Sequence, residues 1–254
     1  MFKGTSASAG IGIGKAVIVE EAELVITRNE VADAEAEIQR FKGALEKTIA
    51  ATQKMADDLA SRVGEKEAEI MQGHMMLLSD PMLTGEIENS VKNDKVNCEF
   101  AIENVCNMYA DMFASMGDEL MQQRATDMRD IKVRMQRTLM GLESVDVSLL
   151  PKGSILVAKD LTPSMTAGIN PENVSGIVTE LGGKTSHSAI LARALEIPAV
   201  VAVNGLMDAV KDGDSVVLDG STGEVFVNPE ASVEKEYEEK RSQFLKDKKE
   251  LEKY

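Results

Sequence analysis

The chain has 254 residues, 43% of them hydrophobic, enough to bury one large core or two modest ones. With 28 Lys+Arg against 43 Asp+Glu the formal charge is −15, which opposes nucleic-acid backbones and anionic lipid surfaces and favours a basic partner. No apolar run approaches the roughly 20 residues of a membrane span. The start MFKGTSASAG has neither a basic nor an apolar leader segment, so a cytoplasmic protein is expected.

The early apolar run Lys15 to Val19 reads as a strand. From Val31 to Val63 a spacing of three and four runs through Val31, Ala34, Ile38, Phe41, Leu45, Thr48, Thr52, Met55, Leu59 and Val63 and predicts one long amphipathic helix. Shorter helical patterns follow at Glu67 to Leu78, closed by Asp80-Pro81, then Thr84 to Lys92, Cys98 to Met116 and Leu120 to Leu142. Most of the fifteen methionines fall here and read as pliable core filling, although methionine also suits adaptable binding faces. Cys98 and Cys106, eight residues apart on one helix, lie about 12 Å apart along its axis, too far to bridge. They read as two buried thiols.

After Leu150-Pro151 the texture changes to short apolar runs between Gly, Asp and Pro: Ser154 to Ala158, Gly176 to Thr179, Ala199 to Val203, Ser215 to Leu218 and Glu224 to Val227. These predict strands alternating with short helices, an α/β domain into which the helical bundle is inserted. From Pro229 onward a densely charged segment with sparse apolar points reads as a mostly solvated helix. The expected division is 1–29 and 144–229 for the α/β domain, 30–143 for the bundle and 230–254 for a linker helix.

Leu181-Gly-Gly-Lys-Thr-Ser-His-Ser-Ala-Ile-Leu-Ala-Arg193 follows a predicted strand and opens a helix. Thr185 or Ser186 is a natural N-cap, which places His187 in the first turn. There the free backbone N–H groups and the helix dipole would stabilise a phosphoryl group carried on the imidazole. Gly182 and Gly183 allow close backbone approach, and Lys184 adds a cation. A neutral imidazole is nucleophilic near pH 7, while a hydrogen bond can hold its other nitrogen. Two phosphate-loop readings fail. Gly183-Lys184-Thr185 imitates the end of a Walker A loop, but position 178 is valine, and Gly10-Ile-Gly-Ile-Gly14 meets Lys15 where a dinucleotide fingerprint needs its third glycine.

The run Gly182 to Arg193, with Pro198-Ala199-Val200 after it, closely resembles the phosphohistidine motif of phosphoenolpyruvate-utilising enzymes. Ala7-Ser-Ala-Gly-Ile-Gly-Ile-Gly-Lys-Ala16, Gly73-His-Met-Met-Leu-Leu78, Arg124-Ala-Thr-Asp-Met-Arg-Asp-Ile131 and Asp160-Leu-Thr-Pro-Ser164 narrow the resemblance to enzyme I of the bacterial sugar phosphotransferase system. The resemblance implies an α/β swivelling phosphohistidine domain, an inserted all-α bundle that docks the phosphocarrier protein HPr, and a barrel that binds phosphoenolpyruvate and Mg²⁺. The barrel has no counterpart in these residues, so no metal or cofactor is expected in this chain, and transfer with HPr alone is expected of it. On the same basis His187 is the phosphoryl carrier through Nε2, Thr166 holds the other ring nitrogen, and Gly182, Gly183, Lys184, Thr185 and Ser186 surround the phosphate. Ile70, His74, Met76, Leu83 and Arg124 are the expected HPr contacts. A dikinase-type phosphohistidine domain and a non-catalytic regulatory adaptor are the competing readings. The bundle tells against the first, and the intact Gly-Gly-Lys-Thr-Ser-His turn against the second. A nitrogen-signalling paralogue would add a sensory domain before the Ala7-Ser8 motif.

Overall fold

A computed structural model of the chain describes residues 1–253 and divides into two units, residues 1–20 with 145 onward, and Glu21–Ser144.

The second unit is built on five helices: α1 (Ala34–Arg62), α2 (Glu65–Leu78), α3 (Pro81–Asp94), α4 (Cys98–Ser115) and α5 (Glu119–Met140). Three of the starts have a local cause. Asp33, Asp80 and Asp118 accept from backbone N–H groups of the first turns of α1, α3 and α5, and Pro81 presets the first turn of α3. Helix α4 lacks such a side-chain cap of its own; Cys98 N–H instead donates to Glu37 Oε1 of α1 at 2.9 Å. Gly141, at φ +67°, ends α5 in the left-handed conformation that a side chain would disfavour. Ile38, Phe41, Leu78, Leu83, Ile87, Ile102, Met128 and Ile131 meet in one core.

Residues 21–29, expected in the α/β domain, belong to this helical unit. Their backbone is tied there: Asn29 N–H donates to Asn97 Oδ1, Asn97 Nδ2 donates to Thr27 O, and Val31 N–H to Lys95 O. The buried Arg137 of α5 completes the attachment, with Nη2 donating to Ala22 O at 2.7 Å, Nη1 to Glu143 O at 3.3 Å and Nε 3.3 Å from Glu21. One guanidinium thus holds both ends of the inserted segment.

The first unit carries strands β1 (Phe2–Lys3), β2 (Thr5–Ser8), β3 (Ile11–Ile18), β4 (Ser154–Ala158), β5 (Val174–Thr179), β6 (Ala199–Val201), β7 (Ser215–Asp219) and β8 (Glu224–Val227). Their order in the sheet is β1-β8-β7-β3-β4-β5-β6-β2, parallel from β3 through β6 and antiparallel elsewhere. Strands β1 and β2 border opposite sides of the sheet yet are separated in sequence only by Gly4, so the sheet wraps back on itself at that residue. A Cβ at Gly4 would meet Val201 O at 2.6 Å, which explains the glycine. Short helices α6 (Pro163–Ala167), α7 (His187–Ala194) and α8 (Leu206–Ala209) follow β4, β5 and β6.

The charged tail forms α9 (Ala231–Leu251), and its first half is not a free linker. Tyr237 is buried against Ile11 and Val217, stacks at 5.2 Å on Phe226 and donates its hydroxyl to Glu224. Through this aromatic anchor α9 docks on the sheet of its own unit.

Candidate functional site

The α/β unit gathers Thr166, Gly182, Gly183 and His187, the residues expected to form the phosphoryl site, on two consecutive crossings, where parallel strands end and their loops converge. After β4 the chain passes Asp160 and enters α6, capped by Thr162 with Pro163 in its first turn. After β5 it passes Glu180 and Leu181, whose N–H groups bond to Ala158 O and Lys159 O, into the Gly182-Gly183 turn and α7. Gly182 sits at φ +103°, a conformation an L-residue rarely adopts. Gly183 is different: its surroundings are open, and no positive φ requires glycine there.

Between the two expected N-caps, the structure uses Ser186. Its Oγ accepts from Ala189 N–H at 3.3 Å and donates to Gly183 O at 2.7 Å, so one hydroxyl joins the helix start to the turn. His187 is then the first residue of α7 and is half-buried, while Lys184 and Thr185 are exposed. Thr166 is buried in α6, which packs on α7, and its Oγ1 donates to Thr162 O at 2.9 Å. Having spent its one proton there, that oxygen faces any further partner as an acceptor.

Arg193 was not assigned a role by sequence reasoning. From the last turn of α7 its guanidinium donates to Lys184 O at 3.0 Å and to Ala7 O of β2 at 2.8 Å. It braces the turn that carries His187 against the sheet. A cation in a last helical turn is ordinarily read as a partner for the helix dipole, and the link to Ala7 spans 186 positions that no local pattern registers.

In the helical unit the expected docking residues separate. Met76 is 68% exposed, and Ile70 and Arg124 are partly exposed. Leu83 and His74 are buried, which corrects their expected place on a contact surface. Leu83 sits in the core with Ile38, Phe41 and Ile87. His74 is enclosed between α2 and α5, with Nε2 2.9 Å from Asp127 and Nδ1 4.0 Å from Asp130. Burial pulls the neighbouring Arg134 below its ordinary pKa, and Asp130 opposes this.

The methionines also depart from expectation. Of the twelve between 21 and 144, Met71, Met128 and Met135 are buried, whereas Met76, Met82, Met108, Met112, Met116 and Met140 are exposed. Met108, Met112 and Met116 recur every four residues along one side of the second half of α4 and its C-cap, beyond the buried Ile102, Val105 and Cys106. A stripe of flexible, polarizable side chains left in solvent is suited to an adaptable contact.

Among the described residues Glu37, Cys98 and Glu99 form the one grouping with metal-ligand chemistry, and it does not fit Mg²⁺. Arg40 already lies 2.7 Å from Glu37 and 2.6 Å from Glu99, so both carboxylates are engaged by one cation. No helix among the described residues is long and apolar enough to cross a membrane.

Residues 3–124 match the family described as PEP-utilising enzyme, N-terminal, and residues 150–223 match PEP-utilising enzyme, mobile domain. The chain is 41% identical over 252 residues to a phosphoenolpyruvate-protein phosphotransferase of Staphylococcus carnosus, covering 99% of this chain and 44% of the relative. It is 41% identical over 244 residues to the protein of that name from Bacillus subtilis, covering 96% and 43%. The chain thus spans less than half the length of these curated relatives. The solution structure of an Enzyme I protein superposes with a TM-score of 0.83 at 39% identity, covering 96% of this chain and 99% of that one. The N-terminal domain of a nitrogen Enzyme I gives 0.60 at 26% identity, covering 95% and 100%. A helical unit inserted after β3, a capped Gly-Gly-Lys-Thr-Ser-His turn after β5, and near-complete correspondence to a solved Enzyme I structure together place this chain in the Enzyme I family of phosphoenolpyruvate-protein phosphotransferases.

Proposed function

We propose that this chain is the part of a phosphoenolpyruvate-protein phosphotransferase that carries the phosphoryl group on His187 and delivers it to HPr, the first step of sugar uptake by the phosphotransferase system. The observation that carries the reading is the Ser186-capped turn, which puts an imidazole at the start of α7. Thr166 is the acceptor we assign to His187 Nδ1 during transfer, since its own proton is committed to Thr162 O. The imidazole proton is thereby kept on Nδ1, and the Nε2 lone pair is left to attack phosphorus. Attack forms the Nε2–P bond as the donor's P–O bond breaks, with enolpyruvate leaving. In the second transfer that Nε2–P bond breaks as phosphorus bonds to HPr. The dipole of α7 and Lys184 offset the charge of the phosphoryl oxygens. Phosphoenolpyruvate and Mg²⁺ are held by the portion of the relatives that this chain does not cover, and the site of action is the cytoplasm.

HPr docks on the helical unit through Met76, Ile70 and Arg124, joined by Met82, by Met108 and Met112 of α4 and by Met116 just after it. Residues 21–144 carry 24 acidic against 14 basic side chains, which favours encounter with a basic partner. Mixing the chain with ³²P-labelled phospho-HPr tests the proposal. Acid-labile, alkali-stable label should move to the wild-type chain and not to His187→Ala. Label that persists on His187→Ala would overturn the assignment.

A further inference from the structure

Where α2 meets α5, Gly73 lies against the Arg124 guanidinium: a Cβ at Gly73 would fall 2.8 Å from Nη1 and 3.8 Å from Cζ. The next residue, His74, is wholly buried with Nε2 2.9 Å from Asp127, which stands three positions beyond Arg124 on α5. Two consecutive residues of α2 thus engage two same-face residues of α5. Sliding one helix along the other would break the His74–Asp127 contact inside the core, so that pair fixes the register. The register in turn fixes which α2 residue lies under Arg124.

Arg124 itself is partly exposed. Among the described residues its guanidinium has neither a hydrogen-bond nor an ion-pair partner, in a chain with 43 carboxylate side chains. The other arginines of α5 that face inward behave otherwise: Arg134 donates to Thr52, and Arg137 is engaged three times. A guanidinium offers five N–H donors, and here its Nη1 edge lies over the bare backbone at Gly73. Glycine at an interior helical position costs about 1 kcal/mol relative to alanine. At position 73 that cost has a use, because any Cβ there would crowd the guanidinium out of its present place.

We propose that Gly73, in the register set by His74 and Asp127, is a positioning residue that seats Arg124 so that its donors meet acceptor oxygens of the docked phosphocarrier. The inference rests on the docking face proposed above. It makes an opposed pair of expectations for Gly73→Ala. Alanine favours the helix, and the Arg124 side chain is long enough to move aside, so the melting temperature should hold or rise. The displaced guanidinium should weaken HPr binding about tenfold, the loss of one charge-assisted hydrogen bond. A merely structural glycine would not link the two effects through Arg124.

The experiment is a double-mutant cycle on the whole chain, with HPr binding measured by isothermal titration calorimetry and stability by thermal melting. Arg124→Met should weaken binding to a similar degree, and Gly73→Ala added to Arg124→Met should cause no further loss. Normal binding by Gly73→Ala, or additive losses in the double variant, would overturn the seat while leaving the docking face standing. Normal binding by Arg124→Met would overturn the docking role of Arg124 and the seat with it.

Discussion

Leu83→Ala should melt the helical unit without touching the docking surface, and Met76→Glu should do the reverse. Leu83 is 1% exposed and meets Ile38, Phe41, Leu78 and Ile87 in the core. Truncating such a leucine costs the transfer free energy of three carbons plus the cavity left behind, about 3 kcal/mol for a site enclosed by helices. Unfolding entropy near 2.1 cal/mol/K per residue over the roughly 120 residues from 21 to 144 amounts to about 0.25 kcal/mol/K, so the transition of this unit should fall by about 12 °C. Met76 has most of its surface in water, and its replacement should stay within about 0.5 kcal/mol, or about 2 °C. Differential scanning calorimetry gives the melting shifts, and titration with HPr well below the lowest transition gives the affinities. Leu83→Ala should bind HPr normally when folded, and Met76→Glu should bind it at least about tenfold more weakly. A Leu83→Ala chain that melts within 2 °C of wild type yet loses HPr binding would return Leu83 to the surface and refute the burial argument.

The turn before His187 gives a contrast of neighbours. Gly182→Ala, forced into φ +103°, should slow phosphoryl transfer by about tenfold or more, whereas Gly183→Ala, with open space around it, should be nearly silent in the same label-transfer assay. Burial pushes the Cys98 thiol well above its usual range and the Cys106 thiol up to about 12. Neither should react with a thiol reagent at pH 8 until the helical unit unfolds, so native and denatured titrations should differ by both thiols. Arg137→Met should free both ends of the inserted segment. Glutamyl endopeptidase should then cut faster after Glu21, Glu23 and Glu143, while cutting elsewhere stays unchanged.

The sequence carries the long elements because their causes are local. The three-and-four spacing predicted a helix over 31–63, observed as Ala34–Arg62, and Ser154–Ala158 and Glu224–Val227 lie where their apolar runs predicted strands. The motif around His187 was legible for the same reason: its glycine turn, cap and helix start are consecutive. Strands β1 and β2 were not legible, since Phe2–Lys3 is two residues long and Thr5–Ser8 is rich in serine and alanine; their partners lie about 200 positions away. At α2 the pattern was only partly legible. Its apolar residues exceed what one face needs, and of the surplus Met76 does stay exposed. Helix α2 packs against α1, α3 and α5, so residues such as His74 and Leu78 are covered from several directions. A single helix's pattern does not say how many neighbours it has. The methionine stripe of α4 failed the other way: it prolongs the side of the helix that carries Val105, but past the stretch from Cys98 to Cys106 where most of the buried residues of α4 lie.

The closure of the sheet at Gly4 bears on what can be attached to or removed from the amino terminus. An open sheet ends in two rows of unpaired N–H and C=O groups, each a template on which another chain can add a strand. Here residues 2–8 cover both rows: Phe2 and Lys3 lie along β8, and Thr5 to Ser8 lie along β6. Removing eight residues would therefore bare β8 and β6 together, and the apolar Val225, Val227, Val200 and Val201 would become sticky borders. A chain trimmed in this way should retain its helical unit yet self-associate. A bulky fusion joined directly to Met1 would strain the seam at Gly4, so a flexible spacer or a carboxyl-terminal tag suits this protein better.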